Sequence, residues 1–299
     1  MNECTNFDRR PKSLQGETVP CSVPFTKMEG AGNDYIYVEE FDAPLPNPAA
    51  LSVRMSDRNF GIGGDGLVLM GPSGKADFRM RIFNSDGSEA EMCGNASRCV
   101  GKYLYEHGFT AKTEISLETL AGIKVLHLTV SEGVVSSITA DMGLPILVPA
   151  DIPMSISEDM FVAQPLTVCG QQWQGTAVSM GNPHLVIPVP DVCQLDLPLI
   201  GPQFENMSIF PKRVNTEFVQ VLTKDRVRVR VWERGAGETL ACGTGACATL
   251  VACALNSLTD RGATIELRGG NLFIEWASSG TVYMTGPAVE VFSGVFACR

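Results

Sequence analysis

One constant spacing relates the two halves of this sequence. Cys242 lies 149 positions after Cys93, and each of these cysteines is followed by a glycine and a small polar residue. The same spacing carries Asn182 onto Asn33, so that each asparagine precedes its cysteine by 60 residues. Matches at unconnected positions under a single spacing indicate two diverged copies of one unit. The chain is therefore expected to fold as two similar domains.

The composition excludes several classes of partner. The 299 residues carry 23 basic and 33 acidic side chains, a net charge of −10, without a run of basic residues. Nucleic acid is not an expected partner, because its phosphates attract clustered lysine and arginine. No apolar stretch reaches the roughly 18 residues of a membrane span, and the first 15 residues lack the apolar centre of a signal peptide. We expect a soluble, cytoplasmic protein with no membrane partner, whose ten cysteines are reduced thiols.

Strand-like segments greatly outnumber helices along the chain. The alternating segment RVRVRVW at residues 226–232 is typical of a strand with one buried face. Each copy has one long helix-like run, predicted at residues 96–107 and 246–258, and a shorter helix is predicted at 49–58. The fold class is thus predicted to be α+β, with two pseudo-symmetric domains in which a mostly antiparallel sheet wraps around a central helix.

The domain boundaries follow from the repeat and from the distribution of proline. Residues 1–22 are polar and aperiodic and are predicted to form a disordered leader. The first copy is predicted to span residues 23–143, and the second residues 144–287, beginning at a proline-rich linker. A final strand at about residues 288–299 can return to the first domain.

Each repeated cysteine directly precedes a predicted helix. Glycine follows both Cys93 and Cys242, and polar Asn95 and Thr244 come next, so backbone N–H groups of a helix start would lie beside each sulfur. Such a position binds a carboxylate and lowers the pKa of a thiol. Buried cysteines more often act as small apolar residues. Zinc is a second alternative, but the cysteines lack the paired spacing of zinc ribbons, so we expect no metal site.

Further polar residues precede the second cysteine. His184 lies two residues after Asn182, in the turn that matches Asn33, which favours an active-site position over that of a packed histidine. Glu233 and Arg234 end the alternating strand. A solvated ion pair is the ordinary interpretation of such neighbours, but at this strand end they can also hold the ammonium and carboxylate groups of a substrate.

Two cysteines at two related helix starts suggest a definite chemistry. If the copies face each other across a pseudo-twofold axis, a carbon between the sulfurs can lose its proton to one thiolate and regain a proton from the opposite thiol. The configuration of that carbon is then inverted. This chemistry needs no pyridoxal cofactor, and no lysine stands in a context typical of a Schiff base.

At these motifs the sequence resembles the diaminopimelate epimerase family. The resemblance covers nearly the whole chain from Phe25 onward, through FTKMEGAGNDY, SDRNFGIGGDG, NSDGSEAEMCGNASRC, VSMGNPHLVI, RVNTEFV and VWERGAGETLACGTGACA. It implies an isomerase that converts LL-2,6-diaminopimelate to meso-diaminopimelate, a precursor of lysine and peptidoglycan. It also implies a small amino-acid substrate, no cofactor and a homodimer.

The resemblance also implies roles for individual residues. Cys93 and Cys242 would be the catalytic acid/base pair, supported by His184 and Glu233. Backbone amides beside the cysteines would hold the reacting carboxylate: Gly94, Asn95, Gly243 and Thr244. Polar side chains lining the site would recognise the other amino-acid end of the substrate: Asn33, Asn84, Asn182, Asn215, Glu233 and Arg234.

Two residues depart from the pattern of the family. Ala96 stands where glycine is common, and its methyl group is expected to narrow the helix entrance. Gly66 stands where some members carry glutamine, and it corresponds to Asn215 under the repeat spacing. One polar group is therefore expected to be missing from the wall of the site.

Two alternative functions remain at the level of the sequence. Proline racemases and hydroxyproline epimerases also place two cysteines face to face. Asn84, Asn182, Asn215 and Arg234 favour a substrate with a second amino-acid head group, which proline lacks. The alternative from another class is a protein that binds a ligand or a metal without catalysis.

Overall fold

The computed structural model describes residues 22–298, and within them it contains four α-helices. The predicted leader lies outside the described residues, except that Ser22 begins the first strand. The helices are α1 (Pro48–Ser56), α2 (Gly94–Glu106), α3 (Leu197–Glu205) and α4 (Gly243–Leu255), with a 3₁₀ turn at Val192–Gln194.

Eighteen strands make up most of the remaining structure between residues 22 and 298. Those of the first half are β1 (Ser22–Gly30), β2 (Asn33–Glu39), β3 (Gly66–Gly71), β4 (Phe78–Asn84), β5 (Glu89–Ala90), β6 (Glu114–Thr119), β7 (Gly122–Ser131) and β8 (Val134–Gly143). The others are β9 (Gln164–Val168), β10 (Gln171–Ser179), β11 (Pro183–Pro188), β12 (Asn215–Thr223), β13 (Arg226–Glu233), β14 (Gly237–Glu238), β15 (Gly262–Leu267), β16 (Gly270–Trp276), β17 (Val282–Gly286) and β18 (Val289–Ala297). The predicted α+β class with two domains is confirmed.

The spacing found in the sequence recurs in the structure. A shift of 149 positions carries α1 onto α3, α2 onto α4 and β1 onto β10, with the same first and last positions in each pair. The two halves are therefore copies of one unit. Helix α3 was missed in the sequence because Pro202 lies inside it, and proline normally interrupts a helix. The Asp196 side chain caps α3 by accepting the Leu199 N–H at 3.3 Å, as Asn47 caps α1.

The central helices confirm that each cysteine directly precedes a helix, although the helical runs reach closer to the cysteines than residues 96 and 246. They start directly after the cysteines, at Gly94 and Gly243, because Cys93 and Cys242 are themselves the N-cap residues in extended conformations. Glycine is a poor helix former, which is why the predicted starts lay two and three residues further on. Each sulfur therefore lies at the first turn of a helix, as expected from the sequence.

Two pairings determine how the halves are joined. Strands β8 and β17, which partly overlap under the repeat spacing, pair antiparallel, from Gly143 opposite Val282 to Ile138 opposite Gly286. Strand β18 then returns to the first half and pairs antiparallel with β1. Most other neighbours are also antiparallel, whereas β2–β3, β4–β6, β11–β12 and β13–β15 are parallel. The domain boundaries predicted from the sequence remain a proposal.

The central helices lie in the main hydrophobic core. Residues of α2 and α4 pack in one continuous apolar cluster with strands of both halves. Strand β13 confirms the alternation seen in the sequence, because Val227, Val229 and Val231 are buried and the arginines between them are not. The helix starts are therefore held by packing on both sides of the junction between the halves.

Candidate active site

The two helix starts open onto one cavity of about 590 Å³. Cys93 and Cys242 both line it, with Gly94 and Gly243 beside them. Met284 lies against both glycines: a Cβ added at Gly94 would overlap its methyl group, and one at Gly243 would come within 3.1 Å of its sulfur. The absence of side chains at both positions therefore lets the two helix starts approach the same point.

Cys93 lies against the turn between β1 and β2. Its thiol donates a hydrogen bond to Oδ1 of Asn33 at 3.3 Å, and Nδ2 of Asn33 donates to the Asp65 carboxylate at 2.5 Å. The backbone N–H groups of Asn95 and Ala96 favour the thiolate and act to lower the pKa of Cys93. Burial nevertheless raises the pKa of the Cys93 thiol, because the interior favours the neutral form.

Cys242 has more negative charge nearby. Its sulfur accepts the Gly245 N–H at 3.4 Å and lies 3.5 Å from the hydroxyl oxygen of Thr244. Burial raises the pKa of this thiol well above its usual value, and the carboxylates of Glu233 and Glu217 raise it further. The sequence prediction that the helix starts lower the thiol pKa values was therefore wrong in net direction, since burial outweighs the N–H groups at both cysteines.

A buried histidine and carboxylate stand behind Cys242. Nδ1 of His184 lies 2.7 Å from Oε1 of Glu217, and Nε2 lies 3.0 Å from Oδ1 of Asn182. One donor atom from each of His184, Glu217 and Cys242 falls within 4.8 Å of the other two. This donor set resembles that of zinc sites, which is the observation that favours the metal-binding alternative. A Cβ at position 245 would lie 2.5 Å from Glu217, so Gly245 makes room for the carboxylate.

Most of the residues proposed from the sequence line the cavity. Besides the cysteines, these are Asn33, Asn84, Gly94, Asn95, Asn182, Glu233, Gly243 and Thr244. His184 is fully buried behind the wall. Sequence reasoning missed the cavity-lining side chains of Tyr35, Lys124 and Met142, and it missed Glu217. The repeat relates Tyr35 to His184, and this was the available signal for Tyr35.

Two proposed residues besides His184 do not line the cavity. Asn215 is buried, and its Oδ1 accepts the backbone N–H of Arg234 at 2.8 Å. The guanidinium of Arg234 is exposed and donates to the carbonyl of Lys212 at 3.0 Å. Asn215 therefore holds the backbone of Arg234, whose side chain would have to leave Lys212 to reach a substrate.

The two departures from the family pattern have different structural settings. Ala96 is fully buried in the main core and does not line the cavity, so its methyl group packs inward and does not narrow the cavity. Gly66 is buried as well: an added Cβ would overlap the Phe83 carbonyl oxygen and lie 2.9 Å from Tyr35. The surrounding backbone leaves no room for a glutamine side chain at this position.

Glu233 acts electrostatically on both cysteines. Burial raises its own pKa, although the Thr239 hydroxyl donates to its carboxylate and partly opposes the shift. Its negative charge raises the pKa of both Cys93 and Cys242. We therefore expect Glu233→Gln to lower both thiol pKa values, by about one unit for a nearby charge.

The pH dependence of iodoacetamide alkylation, followed at each cysteine by peptide mass spectrometry, measures this shift. Alkylation should begin at lower pH in Glu233→Gln than in the parent. Glu238→Gln is the matched control, because Glu238 bonds to Arg230 and does not line the cavity. Identical profiles for Glu233→Gln and the parent would contradict the expectation.

Comparison with known sequences identifies close relatives. Residues 25–148 and 176–291 match the family model described as diaminopimelate epimerase. A diaminopimelate epimerase of Acetivibrio thermocellus is 56% identical over 271 residues, covering 90% of this chain and 97% of that protein. One from Desulfovibrio desulfuricans is 56% identical over 279 residues, covering 91% and 97%.

Solved structures share the fold at much lower identity. A phenazine biosynthesis protein of Bacillus anthracis superposes with a TM-score of 0.66 at 18% identity, covering 92% of this chain and 98% of that one. A hydroxyproline epimerase of Agrobacterium vitis superposes with a TM-score of 0.63 at 14% identity, covering 93% of each chain. At these identities the likeness shows the fold alone.

Proposed function

Because the chain belongs to the diaminopimelate epimerase family and is therefore an isomerase, we propose that it converts LL-2,6-diaminopimelate to meso-diaminopimelate. Cys93 and Cys242 are the proposed proton-transferring pair. One of them, as the thiolate, removes the proton from the substrate's α-carbon, and the other, as the thiol, delivers a proton to the opposite face. No cofactor is part of this proposal.

One observation supports this function above the others. Two cysteines from two copies of one unit cap two helices whose starts line a single cavity. The first residues of both helices line that cavity, where a carboxylate would be favoured by the positive helix ends. In the proposed complex, the residues following each cysteine hold the reacting carboxylate: Gly94, Asn95, Gly243 and Thr244.

The remaining polar residues are proposed to recognise the other end of the substrate. Asn33, Asn84 and Asn182 line the cavity with Glu233 and offer amide and carboxylate groups to a second ammonium and carboxylate. Asn215 and Arg234 join them only if the arginine swings inward. His184 supports Cys242 through its bond to Glu217.

Incubation with three substrates tests the proposed activity. Purified protein is given LL-diaminopimelate, L-proline or trans-4-hydroxy-L-proline, and the stereoisomers are separated by chiral chromatography. We expect inversion of diaminopimelate alone. Inversion of a ring amino acid alone would favour the alternative of a proline racemase or of a hydroxyproline epimerase, the activity of the Agrobacterium vitis protein. If no substrate is inverted and zinc is retained stoichiometrically at Cys242, the non-catalytic alternative is favoured.

Isotope incorporation tests the two-base mechanism. The proton delivered to the second face comes from a thiol that exchanged with solvent before the substrate arrived. In deuterium oxide we therefore expect early product to carry deuterium at the inverted carbon while the remaining substrate stays largely protiated, in both directions. Mass spectrometry at low conversion measures both pools. Early product that retains the substrate's hydrogen would instead indicate a single base.

Three broader properties are also proposals. Exposed apolar residues on β18, including Val291 and Val295, support a homodimer, which sedimentation measurements would test. The proposed domains are residues 23–143 with 288–299, and residues 144–287. None of the helices within residues 22–298 is long and apolar enough to cross a membrane. We also propose that the protein is cytoplasmic, because the substrate proposed from its family is a small amino acid.

A further inference from the structure

Arg98 is a buried cation without an anionic partner in the described part of the chain. Its side chain lies in α2 and is 0% exposed. Among residues 22–298, no carboxylate oxygen lies within 4.0 Å of its guanidinium. The hydrogen bonds go to four neutral acceptors: Asn95 Oδ1 at 2.8 Å, the Gly94 carbonyl at 3.3 Å, the Pro287 carbonyl at 3.2 Å and the Met284 sulfur at 3.6 Å. Burying a charge in this way is costly unless negative charge compensates it.

The surrounding fold leaves space for this guanidinium. A Cβ added at Gly30 would lie 3.2 Å from Nη2, and one at Gly286 would lie 3.0 Å from Nε. The repeat spacing relates Arg98 to Cys247 of α4, so the second copy has a small thiol at the corresponding position. Of these two corresponding positions, only that of the first copy therefore carries a guanidinium.

The Arg98 guanidinium lies directly behind the helix starts at which the substrate carboxylate is proposed to bind. Gly94 and Asn95, which accept its hydrogen bonds, both line the cavity. Oδ1 of Asn95 also lies within 3.6 Å of a Cβ built at Gly243, the first residue of α4. The Arg98 guanidinium thus reaches the junction of the two helix starts through one amide oxygen.

We propose that Arg98 is a positioning residue that fixes Asn95 and supplies a permanent positive charge favouring the Cys93 thiolate and the substrate carboxylate. This inference rests on the proposed epimerase function, because that reaction brings both anions to the cavity. The negative charges that compensate the buried Arg98 cation are then the Cys93 thiolate and the substrate carboxylate, which are present during turnover. The cysteines still carry out the proton transfers. Arg98 acts through the electrostatic effect of its charge and through its hydrogen bond to Asn95.

Several titratable groups face Cys93 or Arg98 from the elements packed around them. They are Tyr35 and Tyr37 of β2, Cys99 of α2, Glu233 of β13 and Cys247 of α4. Glu29 of β1 acts on the neighbouring Cys99. Glu233 opposes ionisation of Cys93, whereas Arg98 favours it. Removing the arginine charge leaves only the neutral N–H groups of Asn95 and Ala96 to oppose Glu233, so the pKa of Cys93 should rise.

Three substitutions separate charge from packing and hydrogen bonding. Arg98→Met removes the charge and keeps much of the side-chain volume, Arg98→Gln keeps a donor for Asn95, and Arg98→Lys keeps the charge. We expect the alkylation midpoint of Cys93 to rise by about one pH unit in the first two, the typical effect of losing one nearby opposite charge. The lysine variant should stay close to the parent.

The same variants should differ in catalysis. We expect kcat/KM for diaminopimelate to fall about tenfold in the methionine and glutamine variants, which corresponds to one pKa unit, with the rising limb of the pH profile displaced upward. Arg98→Lys should restore most of the activity. Lys102→Met is the matched control, because Lys102 is a cation of the same helix that pairs with Glu106.

Two outcomes would overturn the proposal. An unchanged Cys93 midpoint in a folded methionine or glutamine variant would show that the charge does not act on the thiol. A lysine variant as impaired as the methionine variant would show that only the shape of arginine matters. If Arg98→Met does not fold, Arg98→Gln carries the test. Alkylation needs no turnover, so a parent protein that fails to invert diaminopimelate would defeat the proposed function separately.

Discussion

Replacing either Cys93 or Cys242 with alanine is expected to abolish net inversion of diaminopimelate. Each substitution leaves one face of the substrate carbon without a proton donor or acceptor, and a group of this kind contributes about 10²- to 10⁴-fold to the rate. The two losses should be of similar size, because both directions of reaction use both thiols. Chiral chromatography of the product at fixed enzyme concentration measures the residual rate.

The remaining cysteines provide the controls for this prediction. Cys169 is exposed and Cys253 is buried in α4, and neither lines the cavity. Cys169→Ala and Cys253→Ala should keep the parent rate, which would exclude a general effect of thiol loss. If Cys93→Ala or Cys242→Ala inverted the substrate at near the parent rate, the two-thiol assignment would fail even in an active epimerase.

Introducing glutamine at Gly66 is expected to destabilise the protein by about 3 kcal/mol, toward the upper end of the usual cost of overpacking. The sequence comparison suggested that glutamine would restore a missing polar group. The structure predicts the opposite result, because the first added carbon would overlap the Phe83 carbonyl oxygen, and main chain cannot move aside as a flexible side chain can. Urea unfolding of parent and variant measures the difference in free energy of unfolding.

Gly74→Gln is the matched control for this substitution. A Cβ at Gly74 would have no neighbouring atom within 4 Å, so the free energy of unfolding should change by less than about 0.5 kcal/mol, as at most surface sites. If Gly66→Gln were as stable as the parent and had a lower KM, the expectation of a missing wall group would be correct after all.

The overall architecture could be predicted because repetition and alternation are properties of the sequence itself. The shared spacing of Cys93 and Cys242 identified two copies, and the alternation of β13 identified its buried face. Helix α3 was missed because Pro202 obscured its pattern. Shifting α1 by the repeat spacing would have located it, since the two helices match at both ends.

The details of the site depended on contacts that no local pattern contains. Glu217 meets His184 because β11 and β12 pair in parallel with His184 opposite Asn215, and Glu217 lies two residues further along the same strand face. The direction of the thiol pKa shifts depended on burial, which outweighs the helix-start N–H groups. The exposed position of the Arg234 side chain likewise follows from its bond to Lys212. The residue roles in catalysis and binding remain predictions.

The return of β18 to β1 has a consequence for how the chain folds during synthesis. Ser22 pairs with Ala297, 275 positions later, so the sheet of the first half stays incomplete until the last strand has left the ribosome. At about 5–20 residues per second, this delay is roughly 15–55 s. Over that time β1 lacks β18, and its edge is open to other strands. The first domain is therefore translated first but completed last.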